Sequence, residues 1–330
     1  MVMATGIISL AAGLYHQTLI GDGLFGLNIV LYAGLCGLTT IRLVAFPDAV
    51  WSDAGDHARG VGFFTIIAGS GILGSEFLVT AHSPTGGLLL GGLAVVLWPL
   101  VTYGLFTRLT IKGRKPPFTN ALNGAWLLAA VAAQSLTVLG GRLAGSYPSY
   151  AHVLLFFALM MWLVGGMFYV GIIALIFFRY LFLALDPADW APSYWINMGA
   201  AAISALAGTV LIEAHPAYPL LKFLLPFMAG LTLLFWVAAT WWLPLLIILS
   251  VWRHLYGRRP LAYDPLYWSA VFPLGMYAVC TYELAEALSL PFLRVISAGV
   301  FYLALGAWVI MFLGLVRHVG QSLGSQGLKS

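Results

Sequence analysis

The sequence predicts an all-α integral membrane protein with ten transmembrane helices. Of the 330 residues, 62% are hydrophobic and only 8% are charged, and the mean hydropathy is +0.97. A soluble globular protein carries about 25% charged residues because its surface meets water, so most of this surface must meet lipid. The alternating pattern of a membrane barrel is absent, which leaves helices as the spanning structure. Ten crossings of roughly 20 residues each fit within a single transmembrane domain covering residues 1–330.

Ten apolar stretches mark the expected helices, and short polar or Pro/Gly-bearing segments separate them. The first stretch lacks a basic region and a cleavage site, so we expect a membrane helix there and not a signal peptide. It is short and has no upstream flank, which leaves open whether the native protein begins before Met1. The stretches cover about 1–15, 24–46, 60–80, 86–107, 121–141, 151–178, 194–213, 220–251, 266–287 and 293–316.

The basic residues predict the orientation of these helices. Most of them flank the loops that follow even-numbered stretches, or the C-terminus, and Arg142, Lys222 and Arg294 lie on the other side. By the positive-inside rule, we expect both termini in the cytoplasm. The membrane that we expect is the plasma (inner) membrane. The net charge of +4 then reflects topology and gives no reason to expect a nucleic-acid partner. The basic residues of the majority set are Arg42, Arg59, Arg108, Lys112, Arg114, Lys115, Arg179, Arg253, Arg258, Arg259, Arg317 and Lys329.

Side-chain size alternates along the chain. The odd-numbered stretches are rich in small residues, as in Gly69-Ser70-Gly71 and Gly199–Ala202. The even-numbered stretches carry most of the mid-helix tryptophans. Small residues allow helices to approach closely or leave room for a lumen, whereas bulky apolar residues suit lipid. We therefore expect odd helices inside and even helices outside, paired as five hairpins. Tight packing without a pore remains the alternative. The tryptophans are Trp98, Trp162, Trp236, Trp241, Trp242 and Trp308.

Sequence motifs of enzymes and of metal or cofactor sites are missing. The chain has no Walker loop, no dinucleotide-binding glycine pattern, and no His-x-x-x-His or Cys-x-x-Cys spacing. The two cysteines, Cys36 and Cys280, lie in apolar stretches, where packing is their expected role. We therefore expect neither an enzyme nor a bound cofactor or metal.

The ninth stretch contains the most distinctive string, which runs from Asp264 to Ala278. Pro273 lies within it and has no amide hydrogen, so a kink of the helix is expected there. Irregular backbone inside a membrane is tolerated where it is buried in protein or lines a cavity. Phe272 directly precedes this proline. The segment around Phe272 is thus a candidate lining of a pathway.

Three strings together resemble the tellurite-resistance/dicarboxylate transporter family. They are Met3-Ala4-Thr5-Gly6-Ile7-Ile8-Ser9, Asn123-Gly124-Ala125-Trp126-Leu127-Leu128, and Trp268 to Pro273. This family includes bacterial tellurite-resistance anion channels, fungal malate permeases and sulfite pumps, and plant slow-type anion channels. The resemblance implies ten helices in five hairpins, a central pore formed by the odd helices, and a homotrimer with one pore per subunit. It also implies that Phe272 is the aromatic residue that blocks the pore.

The chain departs from the family pattern at two points. The proline often found after Trp-Leu-Leu in the fifth stretch is Ala129 here, so a kink of that helix is not expected. The first stretch is truncated at its start, which leaves the register of its pore-facing side open.

Polar residues within the apolar stretches are candidates for lining the pore. Asn123 and Gln134 are eleven residues apart, which is about three helical turns, so they are expected on nearly the same face. They could donate hydrogen bonds to an anion, or equally could bond to neighbouring helices. The full candidate set is Thr5, Ser9, Ser70, Asn123, Gln134 and Ser204.

Four carboxylates lie near the ends of odd stretches, on the side away from most basic residues. Glu76 and Glu213 are possible proton-linked groups, because carboxylates within a membrane are costly and often functional. The alternative is that these two, with Glu283 and Glu286, pair with Arg142, Lys222 or Arg294, or bond to a hydroxyl. The sequence does not decide between the two roles.

The predicted function is a pathway for small inorganic or organic anions, including C4-dicarboxylates, in contact with membrane lipids. Such a pore would select by charge, diameter and ease of ion dehydration. One alternative is a proton-coupled C4-dicarboxylate carrier of the malate type. A second, from another class, is a structural or receptor-like membrane protein that transports nothing.

Overall fold

The structure is a computed structural model that describes residues 1–258 and 263–327, and within these residues the chain is helical and contains no strand. Each of the ten predicted apolar stretches contains a helix. Eight described helices are long and apolar enough to cross a membrane. Arg259 and Lys329, from the predicted basic set, lie outside the described residues. The helices are α1 (Val2–Leu14), α2 (Thr18–Ala45), α3 (Pro47–Ala54), α4 (Phe64–Val79), α5 (Pro84–Ile111), α6 (Phe118–Ala121), α7 (Leu128–Ser146), α8 (Ala151–Phe182), α9 (Ile196–Ala214), α10 (Pro219–Leu255), α11 (Trp268–Ala287) and α12 (Leu293–Gly327).

Burial divides the ten longer helices into two sets. We call α1, α4, α7, α9 and α11 the buried helices, and α2, α5, α8, α10 and α12 the exposed helices. In the most apolar 18-residue segment, 94% of the residues are buried in α7 and in α9, against 11% in α2. The exposed helices present large apolar side chains at their surface, such as Leu100, Val170 and Ile310. Burial therefore follows the alternation of small and bulky residues in the sequence, and the apolar outer surface suits lipid.

The five buried helices contact one another in a closed ring. The contacts run from α1 to α4, α7, α9 and α11 in turn, and α11 contacts α1 again. Each buried helix also contacts the exposed helix that follows it in the chain. Small residues permit the close approach within the ring. A Cβ atom on Gly71 of α4, for example, would lie 2.8 Å from the hydroxyl oxygen of Ser135 on α7.

Short 3-10 turns precede four of the buried helices. They cover Gly60–Phe63 before α4, Gly124–Leu127 before α7, Pro192–Trp195 before α9 and Pro265–Tyr267 before α11. The turn before α7 explains why this helix begins at Leu128, seven residues later than the predicted stretch. A polar side chain caps two of the turns and satisfies a backbone N–H that the helix leaves free.

The connections that follow the exposed helices lie together at what we call the basic end. The ammonium group of Lys112 donates a hydrogen bond to the Gly55 carbonyl oxygen at 2.6 Å. The Arg179 guanidinium donates to the carbonyl oxygen of Leu122. These bonds join residues that are 57 positions apart in each case. The basic residues thus tie neighbouring connections to one another. The connections that follow the buried helices form the opposite end.

Candidate functional site

A small cavity lies at the centre of the ring, and all five buried helices contribute to its wall. Its volume is about 10 Å³, which is on the order of the space that one water molecule needs. The wall is mostly apolar, and its polar groups come from Ser75, Ser135 and Arg142. The ring is therefore nearly filled by side chains at this level. The lining residues are Ile7, Leu10, Gly71, Ile72, Ser75, Ser135, Val138, Arg142, Ile203, Leu206 and Met276.

Contacts on both sides of α11 fix the direction of its faces. Toward α9, a Cβ atom on Gly199 would lie 2.8 Å from Cγ of Pro273. Toward α1, a Cβ atom on Gly275 would lie 2.7 Å from Cγ2 of Ile7. At about 100° per residue, positions 273 and 275 stand about 160° apart on one side of the helix and 200° on the other. The contacts with α9 and α1 thus divide the surface of α11 into an inner sector, toward the centre of the helix ring, and an outer sector, away from it.

Phe272 lies in the inner sector, which faces the centre of the ring. Met276, which lines the cavity, is four residues further on and about 40° away around the helix. Tyr277 lies in the other sector, where its hydroxyl is 2.8 Å from the Thr240 hydroxyl of the exposed helix α10. Phe272 is 2% exposed. Position 272 therefore lies on the inner side of α11, about one helical turn from the cavity and toward the basic end.

Pro273 lies inside α11, and the helix continues through it from Trp268 to Ala287. Its ring packs against Gly199 of α9. The close approach of these two residues shows why glycine occupies position 199. The bend that the sequence predicts at Pro273 stays a prediction.

The polar residues that the sequence suggested for the pore lie elsewhere than on the cavity wall. Five of them direct their side chains to exposed helices or to the backbone of their own helix. In α7, Ser135 lines the cavity and the adjacent Gln134 does not, because one helical position turns a side chain by about 100°. The hydrogen bonds are Trp308 Nε1 to Thr5 Oγ1 at 3.0 Å, Ser9 Oγ to Gly21 O at 2.9 Å, Tyr32 OH with Ser70 Oγ at 2.7 Å, Gln134 Nε2 to Trp162 O at 3.1 Å, and Ser204 Oγ to Ala200 O at 2.7 Å.

Asn123 lies outside α7, in extended backbone with φ −143° and ψ 178°. Its side-chain oxygen accepts a hydrogen bond from the Ala125 N–H at 2.8 Å and caps the 3-10 turn. The expectation that Asn123 and Gln134 share a helix face is therefore wrong, because the regular helix begins only at Leu128. The hydrogen bond of Gln134 to Trp162 on α8 confirms the alternative role for that residue, a bond between helices.

Glu76 is a fully buried carboxyl between α1, α2 and α4. Its Oε2 accepts a hydrogen bond from Asn28 Nδ2 at 2.5 Å, and it is 0% exposed. Gly6 of α1 leaves room for this pair, since a Cβ there would lie 2.6 Å from Oε2. Two acceptors of the pair, Glu76 Oε1 and Asn28 Oδ1, have no hydrogen-bond partner. A proton on the carboxyl would supply the donor that the pair lacks.

The remaining carboxylates lie toward the opposite end, and two of them form the ion pairs that the sequence allowed. Glu283 pairs with Arg142 at 2.6 Å, and both side chains are largely buried, with exposures of 14% and 16%. Glu286 pairs with Arg294 at the surface. Glu213 is exposed near the end of α9 and interacts electrostatically with Glu283 and Arg142. The sequence had no signal for the position of Arg142 on the cavity wall.

A family model and two known proteins match this chain over nearly its whole length, and a third protein matches about half of it. Residues 1–316 match the family model of SLAC1, described as a voltage-dependent anion channel. Two uncharacterized transporters of Methanocaldococcus jannaschii are 23% and 22% identical, over 96% of this chain and 91% and 92% of their own lengths. An uncharacterized membrane protein of Mycobacterium tuberculosis is 38% identical over 162 residues, which is 49% of this chain and 82% of that protein.

The family match and the ring of apolar helices agree with the resemblance that the three sequence strings indicate. A family of membrane transporters and channels also accounts for the apolar surface of the described helices. Because the match covers residues 1–316, the chain is an integral membrane protein that belongs to the SLAC1 family, also called the tellurite-resistance/dicarboxylate transporter family.

Proposed function

We propose that the protein is an anion channel whose pore runs through the centre of the five buried helices. The observation that supports this proposal is the position of Phe272 in the inner sector of α11, between the contact of Pro273 with α9 and the contact of Gly275 with α1. An aromatic ring at that place acts as a hydrophobic gate, and the pore conducts when the ring turns off the axis. In this arrangement the ten helices form five hairpins, with the odd helices inside and the even helices outside.

The lining of the cavity supports selection by ease of dehydration. Most of its wall is apolar, with residues such as Leu10, Ile72 and Leu206. A wall of this kind offers few hydrogen bonds to replace the water around an ion. Large anions that lose water readily are therefore expected to pass more easily than small, strongly hydrated ones.

Charge distribution and family membership support the arrangement in the membrane. The basic end is proposed to face the cytoplasm, because positively charged loops remain on that side. Both chain termini then lie in the cytoplasm, and the membrane is the plasma (inner) membrane. The apolar exposed helices are proposed to meet lipid and, on part of their surface, two further subunits of a homotrimer.

Replacing Phe272 by alanine tests the gate. Removing the ring is expected to raise anion flux, by about tenfold for every 1.4 kcal/mol that the ring adds to the barrier. The measurement is flux of chloride, nitrate and malate into proteoliposomes that contain the full chain. Unchanged flux in a folded Phe272→Ala protein would show that the ring is not the gate.

Phe235→Ala is a matched control for this experiment. Phe235 of α10 is also 2% exposed, but its ring packs against Trp162 and Tyr169 of α8, away from the cavity. Its loss creates a comparable void in the packing and is expected to leave the flux unchanged. Absence of flux for the unaltered protein under every anion gradient would favour a structural or receptor-like role.

Proton-coupled transport of C4-dicarboxylates is the second candidate function, and Glu76 favours it. A carrier of this type needs a carboxyl that takes up and releases a proton within the membrane. Glu76 is buried among the helices, and one of its oxygen atoms has no partner. Glu213, at the exposed end of α9, is a further proton-linked candidate in this scheme.

A further inference from the structure

The Arg142–Glu283 pair lies at the end of the ring interior opposite Phe272. Glu283 is eleven residues beyond Phe272 on α11, which places it about 20° away around the helix and about 16 Å further along the axis. It therefore belongs to the same inner sector as Phe272 and Met276. Arg142 reaches it from α7 and is itself part of the cavity wall. The pair thus crosses the interior of the ring from one buried helix to another.

Both members of the pair keep an unused hydrogen-bonding atom. Arg142 donates through Nη2 to Oε1 of Glu283 at 2.6 Å. Arg142 Nη1 and Glu283 Oε2 are buried, and neither has a hydrogen-bond partner. A guanidinium presents its donors as a planar fork that fits an anion with two oxygen atoms. An unsatisfied donor on a cavity wall is therefore a binding group for an anion.

Stability alone does not account for an ion pair at this place. A buried pair loses the solvation of two charges, and apolar residues of similar size are often at least as stable. The surrounding wall is apolar, with Leu10, Val138 and Leu206 among its members. Arg142 is the one charged side chain among the lining residues in the described part of the chain. Its charge is therefore available to whatever enters the cavity.

We propose that Arg142 and Glu283 form an ion-pair latch at the end of the pore opposite Phe272, where Arg142 binds the permeating anion after Glu283 is displaced. The inference rests on the proposed anion pathway and adds a charged site to it. Arg142 attracts the anion, whereas Glu283 competes with it for the same guanidinium. Glu213 lies nearby and adds negative charge to the approach, whereas the charge of Glu286 is paired with Arg294 at the surface.

Substitutions of the two latch residues are expected to have opposite effects on anion transport. An ion pair with a merely structural role would not give this difference. Glu283→Gln keeps the size of the side chain and removes the competitor. The apparent KM for chloride and for malate is expected to fall about tenfold, since a charge-assisted bond no longer has to be broken. Arg142→Gln removes the binding group and leaves Glu283 uncompensated, so anion flux is expected to be lost. Arg142→Lys is expected to restore part of it.

The experiment measures KM, flux and anion-over-cation selectivity in proteoliposomes with the full chain. Glu286→Gln is the control, because Glu286 belongs to the exposed pair three residues further along the chain, and it should leave KM within about twofold of the unaltered value. Loss of flux in both Glu283→Gln and Arg142→Gln would overturn the latch, and so would an unchanged KM in folded Glu283→Gln. Absence of flux in the unaltered protein would overturn the proposed function and the latch with it.

Discussion

At the scale of single residues, Glu76 and Asn28 form an enclosed pair with more acceptors than donors. The carboxyl of Glu76 accepts a hydrogen bond from the Asn28 amide, and no positively charged side chain of the described residues pairs with it. An ionised carboxylate is costly in such surroundings, whereas a protonated one can donate to an oxygen. In the proposed proton-coupled carrier, Glu76 is the residue that would take up and release the proton.

Replacing Glu76 by glutamine is expected to abolish any dependence of the reversal potential on pH. Glutamine keeps the shape of the side chain but cannot exchange a proton. The measurement is the reversal potential for malate at two external pH values in the unaltered protein and in Glu76→Gln. Glu286→Gln, on the surface, should retain the dependence. A reversal potential that ignores pH in the unaltered protein would rule out proton coupling and leave the channel.

At the scale of elements, the 3-10 turns bring the starts of α7 and α9 into direct backbone contact. Gly124 lies so close to the turn before α9 that a Cβ atom there would overlap the carbonyl oxygen of Ser193. This neighbour is backbone and cannot rotate away. This contact explains the glycine in the Asn-Gly-Ala-Trp string, since only glycine fits at its second position.

Gly124→Ala is expected to destabilise the protein by roughly 1–3 kcal/mol, the usual range for overpacking. The measurement is the midpoint of thermal denaturation in detergent. Gly171→Ala in the middle of α8 is the comparison, because a Cβ atom there meets nothing within 4 Å. Alanine favours a helix over glycine, so the midpoint of that variant should stay equal or rise. Equal midpoints for Gly124→Ala and the unaltered protein would contradict the close contact.

At the scale of the whole molecule, the uneven distribution of basic residues between the two ends predicts which side of the membrane each end faces. Lys115 and His82 are both exposed, Lys115 at the basic end and His82 at the opposite end. Single cysteines at these positions, with Cys36 and Cys280 replaced by serine, can be labelled by an impermeant thiol reagent. Labelling in intact cells is expected at position 82 and not at position 115. The reverse pattern would invert the proposed orientation.

The helices and their burial could be predicted from the sequence, because both depend on properties that sum over many residues. Apolar length marks each helix, and small residues mark the helices of the ring. The exact lining of the cavity could not be predicted in the same way. It depends on register, and one position separates Gln134, which bonds to α8, from Ser135, which lines the cavity.

Long-range partners were also beyond prediction from the sequence. Arg142 and Glu283 are 141 positions apart, and composition gives no reason to pair these two rather than others. Phe272 could be identified as a candidate because a proline follows it and because the surrounding string resembles a known family. Its direction toward the centre of the ring required the contacts of Gly199 and Gly275 with their neighbours.

The closure of the ring by α11 against α1 has a consequence for biosynthesis. Gly275 packs against Ile7, and Trp308 of α12 donates a hydrogen bond to Thr5 at 3.0 Å. This packing contact and this hydrogen bond join α1 to the last two helices. At roughly 5–20 residues per second, α1 waits on the order of tens of seconds in the membrane before α11 and α12 emerge from the ribosome. During that interval the helix ring is not yet closed between α11 and α1. The small-residue surfaces that later lie in the interior are then exposed to lipid or to an insertion factor.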